Sequence, residues 1–305
     1  MNKPVVIFIV GPTSSGKTSV AFELALRVNG EIISCDSMQV YKDMDVLTRA
    51  AGEDLLGRVP HHLLRYISCE DEYNAARFAE EARKSLEDIL ARGKVTIIAA
   101  GTGLYMKALV DGIFQAPPKD EDLRKELEKE AEEKGIAHLY ERLMEVDPDS
   151  ARQIHPNDLK RVIRALEVFE LTGEKLYDKK EEAEGISSAY DCRFFGMELA
   201  REKLYDRINS EVDKMFDEGL IEEVRALSRR DLSSTAGQAL GIKEVRDCLE
   251  GRADMEHARE ELKKNTRRYA KRQLTWFRSD ERIRWLSADR DAAKIAEDIL
   301  KDLDE

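Results

Sequence analysis

Residues 4–18, PVVIFIVGPTSSGKT, constrain this chain more than any other segment. Seven apolar residues from Pro4 to Val10 form a short, largely β-branched run, the pattern of a strand buried on both faces. Gly11-Pro12-Thr13-Ser14-Ser15-Gly16-Lys17-Thr18 follows and fits G-x-x-x-x-G-K-[ST] in full. A helical pattern, SVAFELALRV, begins at Ser19. Strand, glycine loop and helix in that order turn backbone N–H groups toward phosphate oxygens and place a helix N-terminus behind them. Lys17 supplies a mobile cation, and the Thr18 hydroxyl is a candidate Mg²⁺ ligand. The alternative, an ordinary glycine turn before a helix, leaves the lysine and threonine unexplained.

Further short apolar runs at Glu31–Cys35 and Val95–Ala100 flank an amphipathic segment, Ala75–Arg92, closed by Gly93. These lengths predict βαβ units and a parallel sheet. Gln115-Ala116-Pro117-Pro118 breaks the pattern. From Asp120 to Lys180 the chain reads as charged helix without strands; residues 119–147 hold eleven acidic and six basic side chains. Strand-like runs return at Cys192–Leu199 and Arg282–Leu286. The fold expected is α/β, a P-loop NTPase-like parallel sheet flanked by helices. Residues 1–114 and 190–305 form its core, and residues 115–189 an all-helical insertion.

Composition narrows the function. A net charge of −12 over 305 residues excludes a globally basic nucleic-acid coat and leaves room for a local basic patch. Lys263–Arg284 is such a patch, with nine basic and two acidic residues, net +7. Tyr269, Trp276, Phe277 and Trp285 interleave with the charges, a mixture suited to phosphate contact and base stacking. On a helix, Tyr269, Gln273 and Trp276 share the core face and the basic residues the RNA face. No apolar stretch reaches a membrane span of ~18 residues, and the N-terminal run lacks a signal-peptide cleavage pattern. Cys35, Cys69, Cys192 and Cys248 have neither disulfide nor zinc spacing, and the five histidines have no metal spacing. A cytoplasmic enzyme working as a monomer is expected.

A P-loop hydrolase usually carries a carboxylate at the end of a second hydrophobic strand. Here Ile97-Ile98-Ala99-Ala100-Gly101-Thr102 has none, which weakens motor and switch readings. The nearest carboxylate is Asp36, directly after the Glu31–Cys35 run, where open α/β sheets bind ligands. It suits a general base, a water-mediated metal ligand or a helix cap. Gln39 offers an amide suited to a base edge.

Together with these two segments, PHHL (60–63), YNAARF (73–78), AGTGLY (100–105), HPNDLKRVIRALEVF (155–169), GQALGIKE (237–244) and TRRYAKRQLTWFR (266–278) closely resemble the tRNA dimethylallyltransferases, or tRNA isopentenyltransferases. The resemblance spans most of the chain in family order. It implies transfer of a dimethylallyl group from dimethylallyl diphosphate, with Mg²⁺, to N6 of adenosine-37 next to the anticodon, in the anticodon stem-loop of tRNA. By this likeness Asp36 takes the N6 proton, Gly11 to Thr18 cradle the diphosphate, and Asp36, Ser37, Met38 and Gln39 contact the target nucleotide. Thr102 makes a second contact at the reacting centre, and Arg207 attends the leaving diphosphate with Lys17. Arg124, Lys160, Arg161 and Arg164 resemble tRNA contacts of the insertion; Lys264, Arg268 and Arg272 are the corresponding candidates of the basic segment. The chain departs from the family pattern at Ala100, Glu211, Ile242 and Leu64-Arg65-Tyr66. The rival readings are a P-loop nucleotide or nucleoside kinase, a free-adenylate prenyltransferase and a non-catalytic tRNA-binding protein.

Overall fold

The computed structural model describes residues 3–113, 117, 119–176 and 184–303. The double-proline break is outside that set except for Pro117, as are residues 177–180 at the end of the helical pattern. The chain divides into two compact units, Met1–Val110 with Ile186–Glu305, and Asp111–Gly185.

The larger unit is built on six parallel strands: β1 (Val5–Val10), β2 (Gly30–Cys35), β3 (His61–His62), β4 (Val95–Ala100), β5 (Asp191–Glu198) and β6 (Ile283–Ser287). Their spatial order is β3-β2-β4-β1-β5-β6. The β-branched β1 lies between β4 and β5, and Val6 to Val10 are fully or almost fully buried there. Phe8 stacks on Phe194 with ring centroids 4.7 Å apart. Register fixes what matters for function. Val10 and Cys35 both pair with Ala100, so β1, β2 and β4 end level. The crossover after β1 is helical, Lys17–Val28, and its Val20, Phe22 and Leu24 pack on the sheet.

The two-residue β3 has no periodic signal in the sequence. It forms because Ile32 pairs with His61, and because His62 Nε2 meets Glu31 Oε2 at 2.7 Å. Glu31 is buried on β2 and is also gripped by Arg92, at the end of the Ala75–Ala91 helix. That grip holds its carboxyl down at about 2, against the desolvation that burial imposes.

The smaller unit packs helices Glu121–Lys134, Ile136–Val146, Pro148–Gln153 and Leu159–Thr172 around Leu127, Leu139, Leu143, Val162 and Leu166. Asp120, Asp147 and Asp158 cap three of them. Its core also contains a charge. Glu167 is fully buried and receives Arg124 Nε at 2.7 Å, Arg164 Nη1 at 2.5 Å and the Asp120 N–H at 2.8 Å. Arg164 also donates to the Pro117 carbonyl at 2.8 Å. These partners outweigh desolvation and hold the Glu167 carboxyl at about 2.

A carboxyl depressed in the folded state contributes stability above its unfolded value of about 4.3 and loses it as pH falls through the folded value. Glu167→Gln is therefore expected to weaken the helical unit by about 3 kcal/mol at neutral pH. It should also flatten that unit's loss of stability between about pH 4.5 and 2. Hydrogen exchange of amides 120–176 against pH reads both effects; parallel curves for variant and wild type would refute the assignment.

Candidate active site

The level strand ends bring three loops to one edge and bond them together. The Gly11 N–H donates to the Ala100 carbonyl at 3.2 Å, and the N–H groups of Gly101 and Thr102 both donate to the Cys35 carbonyl at 3.1 Å. The glycine loop, the Asp36 segment and the Gly101–Thr102 turn are thus one framework.

In the glycine loop, Ser14 and Gly16 take positive φ values of 59° and 89°. This winds successive peptide units into a nest for an anion. Gly11 is needed for a different reason: a Cβ there would lie 2.7 Å from Ser15 Oγ. No side chain caps the Lys17–Val28 helix, so its first N–H groups are left for a ligand. The Ser15 hydroxyl is buried without a hydrogen-bond partner, in keeping with a site that awaits an acceptor. Lys17 Nζ reaches the Pro12 carbonyl at 3.4 Å. Burial pushes its pKa below the ordinary lysine value, while the charge of Asp36 pulls it back up.

Asp36 uses its two oxygens differently. Oδ1 accepts from the N–H groups of Met38 at 2.9 Å and Gln39 at 3.3 Å, closing the turn after β2. Oδ2 faces Gly101. A Cβ on that glycine would lie 2.7 Å from Oδ2 and 3.4 Å from Lys17 Nζ. Capping and chemistry are therefore compatible roles of one carboxylate. Thr102 Oγ1 accepts from the Ser37 N–H at 3.0 Å and donates to Ser37 Oγ at 3.3 Å, fixing the next residue of the same turn. The Gln39 amide is occupied within the protein, by Ser34 Oγ at 3.1 Å and the Thr48 carbonyl at 3.2 Å.

Thr13, Ser14, Lys17, Thr18 and Asp36 to Gln39 line one cavity of about 370 Å³, with Leu47, Ile208, Val212, Met215 and Leu262 among its apolar walls. Polar groups gathered at one side of an apolar cleft are what a ligand with a charged head and an apolar tail requires. Arg207, on the Arg201–Asp217 helix, stands over the loop, with Nη1 3.8 Å from a Cβ placed on Gly16. Arg272 also lines the cavity and lies over the Tyr269 ring, 5.6 Å from its centroid. Arg268 belongs to the same helix, Met255–Arg278, and is exposed, while Lys264 pairs with Glu261 at 2.7 Å.

The remaining candidates belong to the smaller unit. Lys160 and Arg161 are exposed, whereas Arg124 and Arg164 hold Glu167. Three cavity residues escaped the sequence reading as site residues. Gln273 is buried and hydrogen-bonds both the glycine loop and Gly101. Tyr269 lines the cavity; burial, then the charge of Asp36, push its phenol well above the ordinary range. Arg49 lines the rim and pairs with Glu211, one of the departures from the family pattern, at 2.8 Å. A polar Gln273 four residues from both Tyr269 and Phe277 was the available signal. The aromatics of this helix divide: Phe277 is fully buried, while Trp276 is partly exposed and lies against Gly103.

A complete glycine loop facing a carboxylate, beside an apolar cleft and without an acidic residue at the end of β4, defines a phosphate-handling transferase rather than a phosphohydrolase. Comparison with known proteins makes this specific. The IPP transferase family model matches residues 39–280, and the Isopentenyl transferase model residues 4–63. A tRNA dimethylallyltransferase of Acetivibrio thermocellus is 45% identical over 287 residues, covering 93% of this chain and 92% of that protein. The crystal structure of a full-length tRNA isopentenylpyrophosphate transferase from Bacillus halodurans is 38% identical with a TM-score of 0.73, covering 99% and 96% of the two chains. A eukaryotic dimethylallyltransferase captured acting on tRNA is 30% identical with a TM-score of 0.79, covering 98% and 79%. The chain belongs to the IPP transferase family, the tRNA dimethylallyltransferases.

Inorganic pyrophosphate tests the loop alone. Lys17→Ala removes a charge-assisted hydrogen bond worth about 1.5–3 kcal/mol. The expected result by calorimetry is binding weakened roughly tenfold to a hundredfold, with an unchanged melting profile. Equal affinity would show that Lys17 is not part of the anion site.

Proposed function

We propose that this protein transfers the dimethylallyl group of dimethylallyl diphosphate to N6 of adenosine-37, next to the anticodon of tRNA, giving N6-isopentenyladenosine and diphosphate. The observation that carries the reading is the single cavity in which Lys17, the glycine loop and Asp36 meet. The glycine loop alone would also suit phosphoryl transfer from a nucleotide, but the relatives named above are prenyltransferases, not kinases.

The bond that breaks is the C1–O bond of the allyl diphosphate, and its electron pair leaves with the diphosphate. The bond that forms joins N6 to C1. The N6 proton passes to Asp36 Oδ2. Negative charge grows on the bridging oxygen as C–O cleaves, so donors already aimed at it lower the barrier. Loop N–H groups, Lys17 and Arg207 are those donors. The adenine amine is a weak nucleophile because its lone pair is delocalised into the ring. Removing its proton as N–C forms is worth roughly 10²–10⁴-fold. Thr102 acts on this step by holding the Ser37 backbone and hence the turn that aims Asp36. The base leaves its stack to reach the buried carbon.

The residues present fit Mg²⁺ as a partner of the diphosphate rather than as a resident of a protein cage. Thr18 and Asp36 line the same cavity, and no cluster of three ligating side chains occurs among the described residues. Mg²⁺ characteristically takes one or two protein groups, phosphate oxygens and water. Thr18 would hold it, and the ion would neutralise charge on the leaving diphosphate.

Incubation with dimethylallyl diphosphate, Mg²⁺ and unmodified tRNA, followed by nucleoside mass spectrometry, tests the proposal. The expected product is N6-isopentenyladenosine at position 37; its absence, or ATP-dependent phosphorylation instead, would refute the reading. Asp36→Asn keeps the turn-closing acceptor but cannot take the proton. It should retain tRNA affinity and lose about 10²–10⁴-fold in kcat. Near wild-type kcat would assign Asp36 to capping alone.

The Met255–Arg278 helix supplies the second prediction here. Arg268 is exposed, and the pair of Lys264 with Glu261 is open to solvent, where an ion pair costs little to exchange, so both are available to phosphate. Replacing both by alanine should weaken tRNA binding. It should also flatten the dependence of log affinity on log salt by roughly 0.7–0.9 per phosphate contact removed. Pyrophosphate affinity, measured in parallel, should not change. An unaltered salt slope would show that these charges do not meet RNA.

A further inference from the structure

Gln273, on the basic helix, touches both the diphosphate loop and the Gly101 turn. It is 6% exposed, on a helix whose charged neighbours Lys271 and Arg272 are exposed. Its Oε1 accepts from the Thr13 N–H at 2.9 Å, and its Nε2 donates to the Gly101 carbonyl at 2.7 Å. The orientation of the amide is not arbitrary. A backbone N–H can only donate and a carbonyl can only accept, so the two partners dictate which end of the amide faces which loop.

The consequence lies in what those loops carry. Thr13 belongs to the diphosphate nest. Gly101 is the residue beside which Asp36 Oδ2 and Lys17 Nζ both lie. The β1–β4 bond from Gly11 to Ala100 joins the two loops at their roots, but farther out the amide of Gln273 spans them. It also takes the Thr13 N–H out of the set free to bind phosphate, which fixes the direction in which the nest opens.

We propose that Gln273 is a positioning residue for the transfer reaction: one amide sets the separation and tilt of the diphosphate loop relative to the Gly101 turn, and thereby aligns Lys17 with Asp36. This rests on the reading of the cavity as a diphosphate site. Apolar packing could fill the same space, but only a group with a donor at one end and an acceptor at the other holds both loops. Glycine at 101 belongs to the same arrangement, because any side chain there would displace the Asp36 carboxylate.

The test uses Gln273→Glu and Gln273→Met, full-length and checked for folding by circular dichroism. Ionised glutamate can accept from Thr13 but only repels the Gly101 carbonyl, and it brings negative charge to an anion site. Protonated glutamic acid has a donor and an acceptor and restores both bonds. Burial raises a carboxyl pKa, so this restored form grows as pH falls. The titratable and charged groups that face it, Lys17, Asp36, Tyr269 and Arg272, are present in variant and wild type alike, so the wild-type and Gln273→Met pH profiles measured in parallel are the reference.

At about pH 8 we expect Gln273→Glu to bind pyrophosphate and dimethylallyl diphosphate at least roughly tenfold more weakly than wild type. The ratio should return toward one as pH falls to about 6. Gln273→Met should show a similar deficit without recovery, with lowered kcat and tRNA affinity within about twofold of wild type. Wild-type diphosphate affinity and kcat in both variants would overturn the proposal, as would a Glu deficit that does not change with pH. Failure of the wild type itself to bind either diphosphate would instead overturn the reading of the cavity, and this inference with it.

Discussion

The level termination of β1, β2 and β4 is the constraint on which the site depends. Parallel pairing of Val10 and Cys35 with Ala100 brings Gly11, Asp36 and Gly101 to the same height on adjacent strands. Slipping one strand by a residue would reverse which side chains face the core and would part Asp36 from Lys17. The hydrogen bonds from Gly11 to Ala100, and from Gly101 and Thr102 to Cys35, extend the sheet's register into the loops. Side-chain geometry at the cavity is therefore inherited from backbone pairing several residues earlier.

Electrostatics at that edge follow from burial. Lys17 is pushed toward its neutral form by desolvation and drawn back by Asp36. A diphosphate entering the loop would add charge opposite to the lysine and strengthen its cationic form. The proposed reaction asks for a proton acceptor and an anion-stabilising cradle, and Asp36 and residues of the glycine loop line the same cavity. The lack of a carboxylate at the end of β4 fits the same logic, because a neutral Ala100-Gly101 turn leaves Asp36 room to approach.

Features written in local sequence were legible. The β-branched run, the glycine loop and the following helix lie together between Pro4 and Val28, and the strand-exit position of Asp36 follows from adjacency alone. The opposite holds for β3, whose two residues are strand only because Ile32 and Glu31 lie beside them. Arg124 and Arg164 resemble RNA contacts, and the structure adds what the sequence does not show, that both are held by the buried Glu167, 43 and 3 residues away. No spacing rule distinguishes a buried partner from a solvent-facing one. Gln273 is 260 residues from Thr13, and its role exists only once the helix lies across the loop. Gln39 shows the converse: an amide that looked free for a base edge is held by Ser34 and Thr48.

The basic segment draws these threads together, because one helix serves two environments. The +7 charge of Lys263–Arg284 would repel itself if all of it faced one way. Instead Lys263 pairs with Asp213 and Glu260, Lys264 with Glu261, and Arg278 with Glu198, while Arg268 is exposed and Arg272 lines the cavity. For the solvent-exposed pairs of Lys264 and Arg278 such pairing contributes little stability, about 0–1 kcal/mol each, so those cations can exchange partners at small cost, whereas Lys263 is largely buried between its two acids. On the opposite face, Ala270, Gln273 and Phe277 are buried, and among these Gln273 alone is polar. A glutamine on a core face sacrifices apolar packing unless both ends of its amide are satisfied. Here they are satisfied by the two loops that carry Lys17 and flank Asp36. The helix that carries charge on its outer face is thus the same element that bonds the glycine loop and the Gly101 turn on its inner face.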